Sequence, residues 1–108
     1  MKWLMLYVAI AFEVGGTTAL KMSDGLTRIS MFSASLALYG VSFVLLALAL
    51  RTLPVGVAYA IWSGLGTVVV ALIGMIWFGE SATAGRVAFI ALIVVGAVGL
   101  NLITDTAS

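Results

Sequence analysis

The chain has 108 residues, 64% of them hydrophobic and 8% charged, with five Lys and Arg against four Asp and Glu. Soluble domains carry roughly 25% charged residues, so this chain could not cover its own surface in water. A soluble enzyme, a nucleic-acid binder and a disordered tail are excluded. Cysteine and histidine are both absent, which removes disulfides, thiolate chemistry and the usual zinc sites; no metal or cofactor is expected. What is left is an all-α integral membrane protein.

The charges divide the chain into spans. Between Lys2 and Lys21 lie 18 residues with one charge, Glu13. Three uncharged stretches follow: Ile29 to Leu50, Thr52 to Gly79 and Val87 to Thr104, with 22, 28 and 18 residues. A hydrocarbon core of about 30 Å needs about 20 apolar residues in a helix. Helices are expected near 3–20, 31–50, 56–78 and 86–103, in one transmembrane domain covering 1–108. Lys2 and the apolar run behind it resemble a secretion signal. No small-residue cleavage site follows, so the first helix is retained. Ser23-Asp24-Gly25, Arg51 to Pro54 and Gly79-Glu80-Ser81 are the turns. None is long enough to hold a nucleotide, so the expected energy source is an ion gradient.

Lys2 and Arg51 fall on one side of this layout, and Lys21, Arg28 and Arg86 on the other. Orientation follows the Lys and Arg bias of short loops, and two against three is almost no bias. One reading is a weak preference for the loop with Lys21 and Arg28 in the cytoplasm; the one put slightly ahead is that the same chain inserts both ways. Two oppositely inserted copies would build the inverted pair that larger transporters obtain by internal duplication.

Glu13 falls within about 2 Å of the middle of the first span. No Lys, Arg or His stands in any other span to neutralise it. Hydrocarbon penalises a lone carboxylate and favours the neutral acid, and ionisable groups at such depth are functional by default. Leu6, Ala9, Ile10, Gly16, Thr17 and Leu20 share its face at helical spacing. The small run Gly15 to Thr18 fits close helix packing and a ligand site equally well.

On the second helix, Phe32, Ser35, Leu36, Tyr39, Ser42, Phe43 and Leu46 form one stripe. Tyr59, Trp62, Ser63 and Gly66 recur at spacings of three, four and seven on the third. Aromatic rings around one carboxylate suit an organic cation, while ring stripes without an acid are ordinary packing. Trp3 and Trp77 sit where interfacial anchors belong. Gly64-Leu65-Gly66 weakens the third helix and marks a hinge. Ala88, Ala91, Gly96, Ala97 and Gly99 suit the fourth helix to packing or dimerisation. Its next ionisable group, Asp105, lies beyond the expected span.

These residues resemble a known family. The run Glu13-Val14-x-Gly16-Thr17-Thr18-x-Leu20-Lys21, with Gly25-Leu26-Thr27-Arg28 after it, resembles the first helix and loop of small multidrug resistance transporters. Pro54 to Gly66 is similar to that family's third-helix signature. The resemblance implies an antiparallel, dual-topology homodimer in the bacterial inner membrane that exchanges protons for organic cations. It maps the family's essential glutamate onto Glu13, its aromatic binding residues onto Tyr39, Phe43, Tyr59 and Trp62, and its small pair onto Gly16 and Thr17. Gly-Thr-Thr after the glutamate is similar to the branch that handles quaternary ammonium ions, whereas guanidinium exporters typically have tryptophan at the place of Gly16. Phe89 stands where the family often has the first of two glycines seven apart, with Gly96 as the second, and Gly15 replaces a usually larger residue.

The expected activity is therefore proton-coupled antiport of lipophilic and quaternary ammonium cations. Glu13 would carry proton and cation in turn, with Ile10, Gly16, Thr17, Tyr39, Ser42, Phe43, Tyr59, Trp62 and Ser63 around the substrate. Gly64 and Gly66 would bend; Gly96, Ala97 and Gly99 would pack the dimer. A guanidinium exporter with the same glutamate is the alternative, and a non-transporting membrane subunit is a third reading that leaves Glu13 without a purpose.

Overall fold

A computed structural model describes residues 2–107, with side chains placed for 2–104. It is all-α, with four helices in chain order: α1 (Lys2–Met22), α2 (Ile29–Ala49), α3 (Val55–Trp77) and α4 (Ala84–Ala107). All four are long and apolar enough to cross a membrane; at 1.5 Å per residue they measure about 32 to 36 Å. Each contains its expected span to within two residues, except that α4 continues to Ala107. The side chain of Asp105 lies outside the described residues, as do Met1 and Ser108 of the expected domain.

Two compact units make up the chain, Met1–Leu53 and Pro54–Ser108. The first is the α1–α2 hairpin. Its contact follows a seam of small groups: Ala9 and Gly16 are seven apart on α1, and Ser35, Ser42 and Ala49 are seven apart on α2, all buried. Seven residues are close to two helical turns, so each set lines one edge of its helix. Because the two helices of the hairpin run antiparallel, the sets pair crosswise. The Ser35 hydroxyl donates to the Gly16 carbonyl at 2.9 Å, and the Ser42 hydroxyl to the Ala9 carbonyl at 2.6 Å. Small residues admit the close backbone approach, and hydroxyls with no water to turn to bind across it. Leu6, Ile10, Val14, Ala19 and Leu53 of this unit are buried as well.

The connection between α1 and α2 is tied by Ser23, which is fully buried. Its hydroxyl donates to the Leu20 carbonyl and accepts from the Leu26 N–H. Asp24, Gly25 and Leu26 all take positive φ of 51°, 67° and 72°. Gly25 adopts this without cost and Asp24 tolerates it.

The second unit is the α3–α4 hairpin. Pro54 precedes the first residue of α3 with φ −60° and ψ 135°, as its ring requires. Ala58, Ile61, Gly66 and Val68 are buried on α3, and Ala97 on α4. Helix α3 runs without interruption through Gly64 and Gly66; a Cβ on Gly64 would stand 3.3 Å from Ile93. Gly79, at φ +69°, reverses the chain so that the Glu80 N–H meets the Gly74 carbonyl at 3.0 Å. Helix α4 starts two residues before the expected 86 because Thr83 caps it, its hydroxyl accepting the Arg86 N–H at 3.2 Å.

Helix-bridging hydroxyls of this kind contribute about 0.6 kcal/mol on average and at most about 1.7. Ser42→Ala and Ser35→Ala should each lower stability by an amount in that range, measured by denaturant titration in mild detergent. Ser42→Leu, which overfills the seam, should cost more, about 1–3 kcal/mol.

Candidate functional site

Glu13 stands one residue past Phe12, the middle residue of α1. Its carboxylate is held from one side only. Oε1 accepts a hydrogen bond from the Thr17 hydroxyl, one turn further along α1, at 3.1 Å. Oε2 is buried and has no hydrogen-bond partner among the described residues. The spacing of four explains the first contact, since residues i and i+4 stand one above the other on a helix.

The Thr17 oxygen also lies 2.7 Å from the Tyr39 hydroxyl of α2. A continuous chain of hydrogen bonds thus runs from Tyr39 through Thr17 to Glu13. Gly16 makes it feasible. A Cβ there would stand 2.8, 2.9 and 3.2 Å from three carbons of the Tyr39 ring, so the ring occupies the space that a side chain at position 16 would need. The neighbouring Thr18 behaves differently: its hydroxyl bonds back to the Val14 carbonyl of its own helix at 2.9 Å. That is the default for Thr in a membrane helix, and Thr17 departs from it.

Phe43, one turn along α2, stacks on Tyr39 with ring centroids 6.1 Å apart and planes 9° apart. It is 54% exposed in the single chain. Glu13, Gly16, Thr17, Tyr39 and Phe43 are therefore gathered in the first unit. Ile10 is buried on α1, and Ser42 spends its donor on the Ala9 carbonyl within the hairpin.

The second unit carries its own ring pair. Tyr59 and Trp62 lie with centroids 5.7 Å apart and planes tilted by 41°; Tyr59 is 60% exposed. The Ser63 hydroxyl bonds back to the Tyr59 carbonyl at 2.7 Å. Ala97 is buried, while a Cβ on Gly96 or Gly99 would meet open space. An open groove of about 590 Å³ between the end of α3 and the start of α4 is flanked by Glu80 and Arg86. The Arg86 guanidinium is occupied there by the Ser81 carbonyl and hydroxyl.

Sequence reasoning placed Ser35 on the α2 stripe without a task, and its task is to fasten α2 opposite Gly16. The signal was available in its seven-residue spacing from Ser42. The bond between Thr17 and Tyr39 had no such signal, because it depends on how far α2 is rotated against α1.

Comparisons with known proteins agree with this architecture. The sequence model of the Small Multidrug Resistance protein family matches residues 1–93. Nicotine metabolites export pump subunit NepB of Paenarthrobacter nicotinovorans is 50% identical over 102 residues, 94% of this chain and 61% of NepB. This chain thus spans about six-tenths of that relative. Quaternary ammonium compound-resistance protein QacE of Escherichia coli is 42% identical, covering 98% of this chain and 96% of QacE. The Guanidinium exporter of Citrobacter freundii is also 42% identical, covering 96% of this chain and 99% of the exporter.

The two neighbouring glycines separate packing from propensity. Alanine is favoured over glycine in a helix by up to about 1 kcal/mol. At Gly15 the added methyl makes an ordinary 3.4 Å contact with Leu38, so Gly15→Ala should be neutral or slightly stabilising. Gly16→Ala should instead destabilise by about 1–3 kcal/mol and alter the tyrosine signal in near-UV circular dichroism.

Proposed function

Because this chain belongs to the small multidrug resistance family, and is a multi-pass efflux transporter of the bacterial inner membrane, we propose that it exchanges protons for lipophilic and quaternary ammonium cations at Glu13. The observation that carries this reading is the carboxylate itself: mid-helix, bonded on one oxygen only, and beside the stacked Tyr39–Phe43 pair. A buried acid is costly as a bare anion. It is stable when it holds a proton or when a cation stands against it, and it cannot hold both.

That competition is the coupling. A cation binds as the proton leaves, and a proton arriving from the other side releases the cation, the differential affinity that linkage requires. Ring faces attract a cation without demanding hydrogen-bond donors from it, which suits a quaternary ammonium ion. Tyr59 and Trp62 are proposed as further aromatic contacts. The transporting form is proposed to be an antiparallel homodimer, in which the two Glu13 carboxyls face one shared cation site. The near-even distribution of Lys and Arg supports dual insertion, and NepB, by its name, is a subunit of a pump.

A guanidinium substrate is the second reading, supported by relatives named as guanidinium exporters at the same 42% identity as QacE. The packing of Tyr39 on Gly16 favours the first, since flat ring surface rather than additional donors and acceptors is what it brings towards the acid.

Purified protein in weak buffer should release protons on addition of tetraphenylphosphonium, and Glu13→Gln should abolish the release. Guanidinium should release few or none. Release with guanidinium alone would transfer the protein to the guanidinium branch, and silence with both cations would defeat the exchange reading.

A further inference from the structure

The hydroxyl of Thr17 has one proton to donate and two neighbours at hydrogen-bond distance, Glu13 Oε1 at 3.1 Å and Tyr39 Oη at 2.7 Å. A hydroxyl offers one donor and accepts on its lone pairs, so Thr17 can donate to only one of these neighbours at a time. With Glu13 ionised, the acid can only accept: Thr17 donates to Oε1 and Tyr39 donates to Thr17. With the proton on Oε1, the acid donates to Thr17, and Thr17 turns its own proton towards Tyr39. The phenol is then an acceptor with its O–H free for another group.

We propose that Thr17 is a positioning residue whose hydroxyl reverses direction when Glu13 gains or loses its proton, and that Tyr39, admitted by Gly16, is thereby set as donor or acceptor according to the state of the acid. The inference rests on the reading that Glu13 exchanges a proton for a cation. No proton leaves the chain of hydroxyls; only their donors turn.

The surroundings confine the effect to this route. Helix α2 brings no charged side chain to Glu13, and Tyr39 is its one titratable group. On α1 itself the other titratable groups are Lys2, Tyr7 and Lys21, which stand about three, 1.7 and 2.2 helical turns from position 13. The helices cannot easily slide to accommodate a misplaced ring, because Ser35 and Ser42 fasten α2 to the Gly16 and Ala9 carbonyls. A Cβ at position 16 must therefore displace the Tyr39 ring, taking its hydroxyl away from Thr17. Tyr39 in turn stacks on Phe43, so a change in its hydroxyl partner reaches the aromatic surface proposed to hold the cation. Binding of proton and cation would in this way be linked through side-chain orientation as well as through charge.

The test is the pH dependence of proton release triggered by tetraphenylphosphonium, in detergent-purified protein whose folding is checked by circular dichroism. Hydrogen bonds to a carboxylate are stronger than those to a neutral acid, so their loss favours the protonated form and extends release to higher pH. Thr17→Val should raise the midpoint by about one pH unit, a roughly tenfold change in proton affinity. Thr17→Ser, which keeps the hydroxyl, should restore it. Tyr39→Phe should move the midpoint the same way by less, and adding it to Thr17→Val should produce no further shift. Gly16→Ala should copy Tyr39→Phe although the phenol is still present. Additive shifts from Thr17→Val and Tyr39→Phe, or a Gly16→Ala midpoint equal to that of the unmodified protein, would overturn the inference. A chain that releases no protons before any substitution would overturn the underlying exchange reading instead, so the two failures are distinct.

Discussion

The close contact of α1 with α2 is the constraint from which the candidate site follows. In hydrocarbon two apolar helices gain little by hiding apolar surface from each other, because lipid tails are equally apolar. What favours association is tight packing and hydrogen bonds that have no water to compete for them. The hairpin uses both: small residues every seven positions on each helix, and Ser35 and Ser42 fastened to backbone carbonyls across the seam. The rotation of α2 that satisfies both serines also brings Tyr39 over Gly16. A ring can lie there only because the backbone beneath it is bare.

From that placement comes the electrostatic character of the site. A carboxyl group in mid-span has no basic residue to neutralise it, and the hairpin answers with one hydroxyl and a stack of two rings. This arrangement solvates the acid weakly on one oxygen and leaves the other for an incoming cation. A stronger cage, such as an arginine partner, would hold the carboxylate permanently ionised and end its use as an exchanger. Incomplete satisfaction of a buried group, ordinarily a liability, is here the feature on which transport would turn.

The second unit applies the same physics to a different end. Two of its hydroxyls bond back to their own helix, Ser63 to the Tyr59 carbonyl and Thr67 to the Ser63 carbonyl, where Ser35 and Ser42 of the first unit reach across to the neighbouring helix. Glycines at 64 and 74 make room for neighbours, while Val87, Phe89, Leu92, Val95 and Val98 leave an apolar outer surface on α4. Such a surface is at home in lipid or against another helix.

Much of this was legible in the chain of residues. Charge spacing alone located four spans, because a single uncompensated charge is costly enough in hydrocarbon to leave a mark on sequence. The same cost singled out Glu13, and helical periodicity put Gly16 and Thr17 on its face. Periodicity also produced the α2 stripe of Ser35, Tyr39, Ser42 and Phe43. It could not assign their tasks, since residues three, four and seven apart share a face whether that face meets lipid, a helix or a ligand. Only the tertiary structure decided that Ser42 and Ser35 hold the helices together, that Thr17 turns to Tyr39 while Thr18 turns to its own backbone, and that Gly16 is a seat for a ring. These outcomes depend on interhelical distance and rotation at the level of ångströms, which the summed packing of both helices sets and no local pattern of residues records.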